Sequence, residues 1–160
     1  MKKLFLPLLL AAVCTTSAFA QFNKGRKYVN ASLAGAGISY SERDDFSFGL
    51  GLNAGYMIED NWMVLGEFGV DYSDSKWHSL SLGAKGRYYI EQNGLFLGAG
   101  VKWLHEYKNV NDIQLTPEVG YCFFLNKNVT IEPSVYYDMS LTNFADYSKF
   151  GVKIGVGVFF

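Results

Sequence analysis

The chain offers few residue types that could perform catalysis. Its 160 residues include two histidines, His78 and His105, and two cysteines, Cys14 and Cys122. A serine nucleophile needs a histidine within reach as its base, and Ser79 and Ser81 stand close to His78. A lipid-modifying enzyme in a membrane would present both groups where acyl chains arrive. The alternation around this segment puts His78 with Leu80 and Leu82, and turns Ser79 and Ser81 to the other face, so the hydroxyls point away from such a substrate. Two histidines on the apolar face and Cys122 on the opposite one do not converge as metal ligands. Cys122 reads as a small interior filler. The glycines precede no helix, which a phosphate-binding loop requires. No cofactor is implied.

The residues that do recur at a meaningful spacing are charged. Glu67 and Asp71, Lys85 and Arg87, Lys102 and Glu106, Glu132 and Asp138, and Lys149 and Lys153 are each separated by an even number of residues, and Glu118 belongs to the same set. In an extended chain even separations share one face. Six acids facing five bases form a network that neutralises itself.

Elements must hold that face together. Lys2 and Lys3, the apolar residues 4–13 and Ala18-Phe19-Ala20 have the form of an export signal cleaved between Ala20 and Gln21. Cys14 follows the apolar run, but Val13 occupies a position where lipidation needs a small residue. Residues 1–20 are therefore expected to be a signal peptide and residues 21–160 a single domain. With Cys122 alone in that domain, no intramolecular disulfide is available. The net charge of −1 gives no bulk attraction for nucleic acid.

After residue 20 no run of about 18 apolar residues exists, which excludes a transmembrane helix. The period of two is strong instead. Phe46, Phe48, Leu50, Leu52, Ala54, Tyr56 and Ile58 alternate with Ser47, Gly49, Gly51, Asn53 and Gly55. Equivalent runs begin near Val29, Trp62, Leu80, Leu95, Ile113, Val129 and Phe150, making eight strands with no helical segment between them. Glu59-Asp60-Asn61, Glu91-Gln92-Asn93-Gly94 and Asn126-Lys127-Asn128 are tight-turn sequences. The fold expected is all-β, an eight-stranded antiparallel up-and-down barrel.

Charge placement separates a membrane barrel from a soluble one. A lipocalin-like barrel lines its cavity with the apolar face. Here the opposite face is nearly free of charge, and eleven charges can fill a narrow bore only when paired, so the charged face is the lumen and the apolar face meets lipid. Two registers follow from the connections. If Tyr107 faces Ile113, Lys102 lies opposite Glu118. If Ser73 faces Trp77, Lys85 is diagonal to Glu67. A slip of one residue would turn these charges into lipid.

The aromatic fraction of 17% finds its place in the same picture. Tyr56, Trp62, Tyr88 and Tyr121 fall beside the tight turns, and Tyr72, Trp77, Trp103 and Tyr107 near the other connections, as two interfacial girdles would require. Pro117 and Pro133 face outward and remove ladder donors, predicting a bulge or widened pairing.

The signal sequence, the alternating strands, the segments Leu115-Thr116-Pro117-Glu118-Val119-Gly120-Tyr121 and Glu132-Pro133-Ser134-Val135-Tyr136-Tyr137, and the terminal Phe160 together resemble the small outer-membrane β-barrel superfamily that includes OmpX and the OmpA membrane domain. The resemblance implies a bacterial outer-membrane location, lipid as the surrounding partner, and recognition of the last strand and Phe160 by the barrel-assembly machinery. An isolated barrel without a second subunit is expected. The outer connections are only a few residues long, which disfavours an adhesin that works through large loops. Three functions are then open: a non-catalytic envelope or surface-interaction barrel, with Phe144 and Tyr147 as contacts; a narrow porin-like channel; and an enzyme acting on lipid A.

Overall fold

A computed structural model describes residues 22–35, 47–73, 76–91, 93–106, 110–142 and 148–160. Nine strands follow one another: β1 (Lys27–Gly35), β2 (Ser47–Glu59), β3 (Trp62–Ser73), β4 (Lys76–Tyr89), β5 (Leu95–Glu106), β6 (Val110–Tyr121), β7 (Phe123–Phe124), β8 (Val129–Ser140) and β9 (Lys149–Phe159). Each pairs antiparallel with its neighbours, and β1 pairs with both β2 and β9, so the sheet closes on itself. Strand β7 continues β6 in the same register against β8, the strand itself being interrupted at Cys122. The barrel thus has eight staves, the sixth in two pieces.

Closure removes the sheet edges that lipid could not satisfy. Local chemistry makes the turns. Asn61 takes a φ of 66° and Gly94 one of 73°, the left-handed region where asparagine and glycine are best tolerated. In the third turn, Asn126 Oδ1 accepts the amides of Asn128 and Val129, each at 2.8 Å.

The barrel is inside-out with respect to a soluble domain. Among the described residues, sixteen polar or charged side chains are buried against ten apolar ones, while 25 large apolar side chains are exposed. That distribution is stable only where hydrocarbon covers the outside. Val29, Leu52, Val64, Leu97, Val119, Val135 and Ile154 all lie on the outer wall.

The strand registers test the two cross-strand expectations. Beyond a bulge near Tyr72, Leu65 faces Lys85 and Glu67 faces Gly83, so Lys85 is diagonal to Glu67; at the strand end Ser73 pairs with Lys76, and Trp77 with Tyr72. The other expectation is corrected. Lys102 pairs with Gln114, and Glu118 with Gly98. Glu106 already pairs with Val110, so the connection is tighter than the Tyr107–Ile113 pairing assumed. The resulting shift is even, and every side chain keeps its face.

The prolines act by widening. Pairing of β6 with β8 skips Thr116 and Pro117 and resumes at Glu118 in unchanged register. No bulge occurs at Pro117 or Pro133, since the β5–β6 and β8–β9 ladders run through them without a shift.

Candidate functional site in the barrel lumen

Glu118 sits at the centre of the lumen on β6. Its Oε2 accepts from Lys85 Nζ at 2.7 Å, and its Oε1 from Arg87 Nη2 at 3.1 Å and Lys153 Nζ at 3.0 Å. Lys85 also reaches Glu67 Oε2 at 2.8 Å, and Arg87 Nη1 reaches Glu132 Oε2 at 2.9 Å. One carboxylate thus receives three cations, two of which bind a second carboxylate each. Taking such groups from water costs several kcal/mol per ion, which the hydrogen bonds must repay. The Lys85, Arg87, Glu118 and Glu132 side chains are at most 3% exposed.

The strand between makes this reach possible. Lys85 and Arg87 lie on β4, Glu118 on β6, and β5 runs between them with Gly100 and Gly98 as their neighbours. A Cβ at Gly98 would stand 3.3 Å from Arg87 Cγ and 3.5 Å from Glu118 Cβ. Bare backbone at this position lets the guanidinium cross the stave. Glu132 is further held by the Tyr28 hydroxyl at 2.5 Å and the Thr130 hydroxyl at 2.8 Å.

A second cluster lies nearer the other connections. Lys102 Nζ donates to Asp138 Oδ2 at 2.6 Å, and the Thr116 hydroxyl donates to Asp138 Oδ1 at 2.7 Å. Asp71 Oδ2 accepts the Ser79 hydroxyl at 3.1 Å. Glu106 and Lys149 occupy strand positions beside Ser79 and Asp138 respectively. Between the two clusters is a cavity of about 60 Å³, lined by Asn53, Glu67, Lys102, Tyr136, Asp138 and Lys153 among others.

Sequence reasoning missed two parts of this interior. Asp112, one residue ahead of the alternating run that begins at Ile113, is buried in the lumen, accepting from Gln114 Nε2 at 3.0 Å and the Ser140 hydroxyl at 2.9 Å. Its even spacing from Gln114, Thr116 and Glu118 is the signal that locates it. The larger omission is an apolar plug at the tight-turn end. Phe22, Tyr28, Met57, Met63, Leu65, Tyr89, Phe96, Cys122 and Phe159 form one buried cluster. The Phe22 ring stacks on Tyr89 with centroids 4.0 Å apart, and Arg87 lies 4.3 Å above the Phe96 ring. Parity again carries the signal, because Tyr89 shares its face with Lys85 and Arg87.

On the outer wall Trp62 packs against Tyr88 at 5.0 Å, Tyr121 against Phe123 at 4.4 Å, and Trp103 against His105 at 5.7 Å. Tyr56 and Phe160 are exposed. Tyr72 and Trp77 are backbone partners in the β3–β4 ladder, whereas Tyr107, Ala20, Gln21, Phe144 and Tyr147 lie outside the described residues. His105 Nδ1 is 2.8 Å from Asn111 Oδ1 on the outside, while Ser79 and Ser81 are buried inside. Among the described residues no group of three His, Cys, Asp or Glu could hold a metal.

Comparisons with known proteins agree with this architecture. Among solved structures the chain is similar to the N-terminal β-barrel domain of Pseudomonas aeruginosa OprF, at 14% identity over 86% of this chain and 98% of that one, with a TM-score of 0.69. It is also similar to Neisserial surface protein A, at 20% identity over 86% and 100%, with a TM-score of 0.66. Ail of Yersinia pestis in a bilayer nanodisc matches at 16% identity over 86% and 100%, with a TM-score of 0.58. Identities this low speak for the fold alone. No curated protein matches the sequence. Residues 6–160 match a single family from near the first residue to the last, and the chain belongs to the outer membrane protein beta-barrel domain family.

Proposed function

We propose that this barrel is a non-catalytic component of the outer membrane, serving envelope integrity or surface contact, with a lumen that conducts nothing. The filled interior carries the reading: ion pairs around Glu118 span the bore, and the aromatic cluster of Phe22, Tyr89, Phe96 and Phe159 occupies its tight-turn end. The cavity between, about 60 Å³, has room for only a few waters and for no larger solute. A porin-like channel would need these pairs to part together. Refolded protein in planar bilayers is expected to give no discrete conductance steps. Steps that disappear on Lys102→Ala or Glu118→Ala would establish the channel instead.

The lipid A enzyme is the weaker alternative, because Ser79 spends its hydroxyl on Asp71 inside the barrel and the described His105 is outside. Export by a cleaved signal fits the position of Phe22, buried in the plug as the second residue after the expected scission. Intact-mass analysis of protein purified from outer membranes should give a chain beginning at Gln21; a mass retaining residues 1–20 would defeat that assignment. At the other end the outward Phe160, following the alternating β9, supplies an amphipathic strand suited to capture by strand addition during assembly. A monomer is sufficient, since the sheet closes within one chain.

A further inference from the structure

The two prolines of the barrel weaken one and the same seam. Pairs along β6–β7 and β8 run Gln114–Ser140, Leu115–Met139, Glu118–Tyr136, Val119–Val135, Gly120–Ser134, Phe123–Ile131 and Phe124–Thr130. In that single register the ladder is interrupted once at Pro117 and once opposite Pro133, each time at the position of a missing proline N–H. Ladders on the far sides of both prolines are continuous, as Pro117 pairs with Ala99 and Pro133 with Ile154. Both missing N–H groups therefore belong to the β6–β8 side. The Cys122 amide continues the β5–β6 ladder instead, bonding the Gly94 carbonyl at 2.8 Å. Every other ladder among the described residues is unbroken or has a single bulge.

Side chains bridge what the backbone leaves open. At the first gap Asp138 on β8 takes the Thr116 hydroxyl of β6 and the Lys102 ammonium of β5. At the second, Glu132 accepts from Cys122 Sγ at 3.5 Å and from Arg87. The lumen cavity lies directly behind the first gap, since Thr116, Tyr136 and Asp138 are among its walls. Within that cavity Asn53 Oδ1 is buried and has no hydrogen-bond partner.

We propose that the barrel wall opens along the β6–β8 seam and that Asp138 latches it, so that the lumen cavity communicates with the bilayer side and not along the barrel axis. The inference rests on the chain spanning a bilayer, but not on the absence of conductance. Backbone pairing is what makes a barrel wall rigid, and local opening follows the segment with fewest ladder bonds. The aromatic plug leaves the axial route shut at one end in either state.

Amide hydrogen exchange on the folded barrel in nanodiscs tests this. Paired amides flanking the two gaps should exchange about ten-fold faster than those of β1 and β2, because two ladder donors are missing from one seam. Pro117→Val restores a donor without touching the lumen, and should slow the seam about five-fold, the worth of one backbone hydrogen bond. Asp138→Asn should quicken it selectively. A disulfide across the seam, from Leu115→Cys with Met139→Cys, should slow exchange throughout it, whereas Ala31→Cys with Leu52→Cys across β1 and β2 should not. Equal rates in the two seams would overturn the proposal, as would no response to Pro117→Val in protein that still shows the heat-sensitive gel mobility of a folded barrel.

Discussion

Glu118→Ala should cost the barrel about 3–5 kcal/mol, the penalty of leaving a buried charge unpaired when its partner is removed. The effect is at the top of that range because three cations, Lys85, Arg87 and Lys153, lose the same carboxylate. Lys85 retains Glu67 and Arg87 retains Glu132, but Lys153 has no other acid within ion-pair distance among the described residues. Glu118→Gln should be nearly as damaging, since it keeps the shape and removes the charge. Glu67→Ala should cost far less: Glu67 is partly exposed, and its one ion-pair partner among the described residues, Lys85, keeps Glu118. Urea unfolding of barrels refolded in vesicles, followed by tryptophan fluorescence, measures the series. A loss below about 1 kcal/mol for Glu118→Ala would show that the lumen pairs contribute no more than exposed ones do.

The second large effect belongs to the outer wall. Leu52 is 56% exposed near the middle of β2, between Ala31 and Phe68 on the neighbouring staves. Leu52→Arg places a guanidinium in hydrocarbon and should cost about 2–4 kcal/mol, the range for a basic residue at the midplane of such a wall. The same change at Trp62, beside the tight turn, should cost about 0–1 kcal/mol because the charge reaches the headgroups. Vesicle refolding yields and urea midpoints for the two variants give the comparison. A soluble barrel would tolerate Leu52→Arg as well as it tolerates the change at Trp62, so equal midpoints would refute a lipid-covered wall.

What was legible in the sequence was the assignment of faces. Successive side chains of a strand point to opposite sides whatever the strand pairs with, so the inward set of Glu67, Lys85, Arg87, Glu118 and Glu132 follows from spacing alone. Lipid on the outside follows from it in turn, because a bore this narrow cannot solvate charges singly. The same rule covers the inward Tyr89, Phe96 and Phe159; overlooking them meant treating the lumen as uniformly polar.

Partnership was decided by closure of the sheet. Reading from neighbouring strands put Lys102 against Glu118, whereas Glu118 is held by β4 across the glycines of β5 and by Lys153 of β9, and Lys102 goes to Asp138. Those contacts depend on the tilt and stagger with which eight staves close, which bring distant strands to one level of the bore. Spacing along a single strand is local and specifies sidedness; depth in the bore and contact across it are global, and only the folded barrel sets them. The two prolines show the same division, for each by itself predicts one missing hydrogen bond, and only the closed sheet places both losses on one seam.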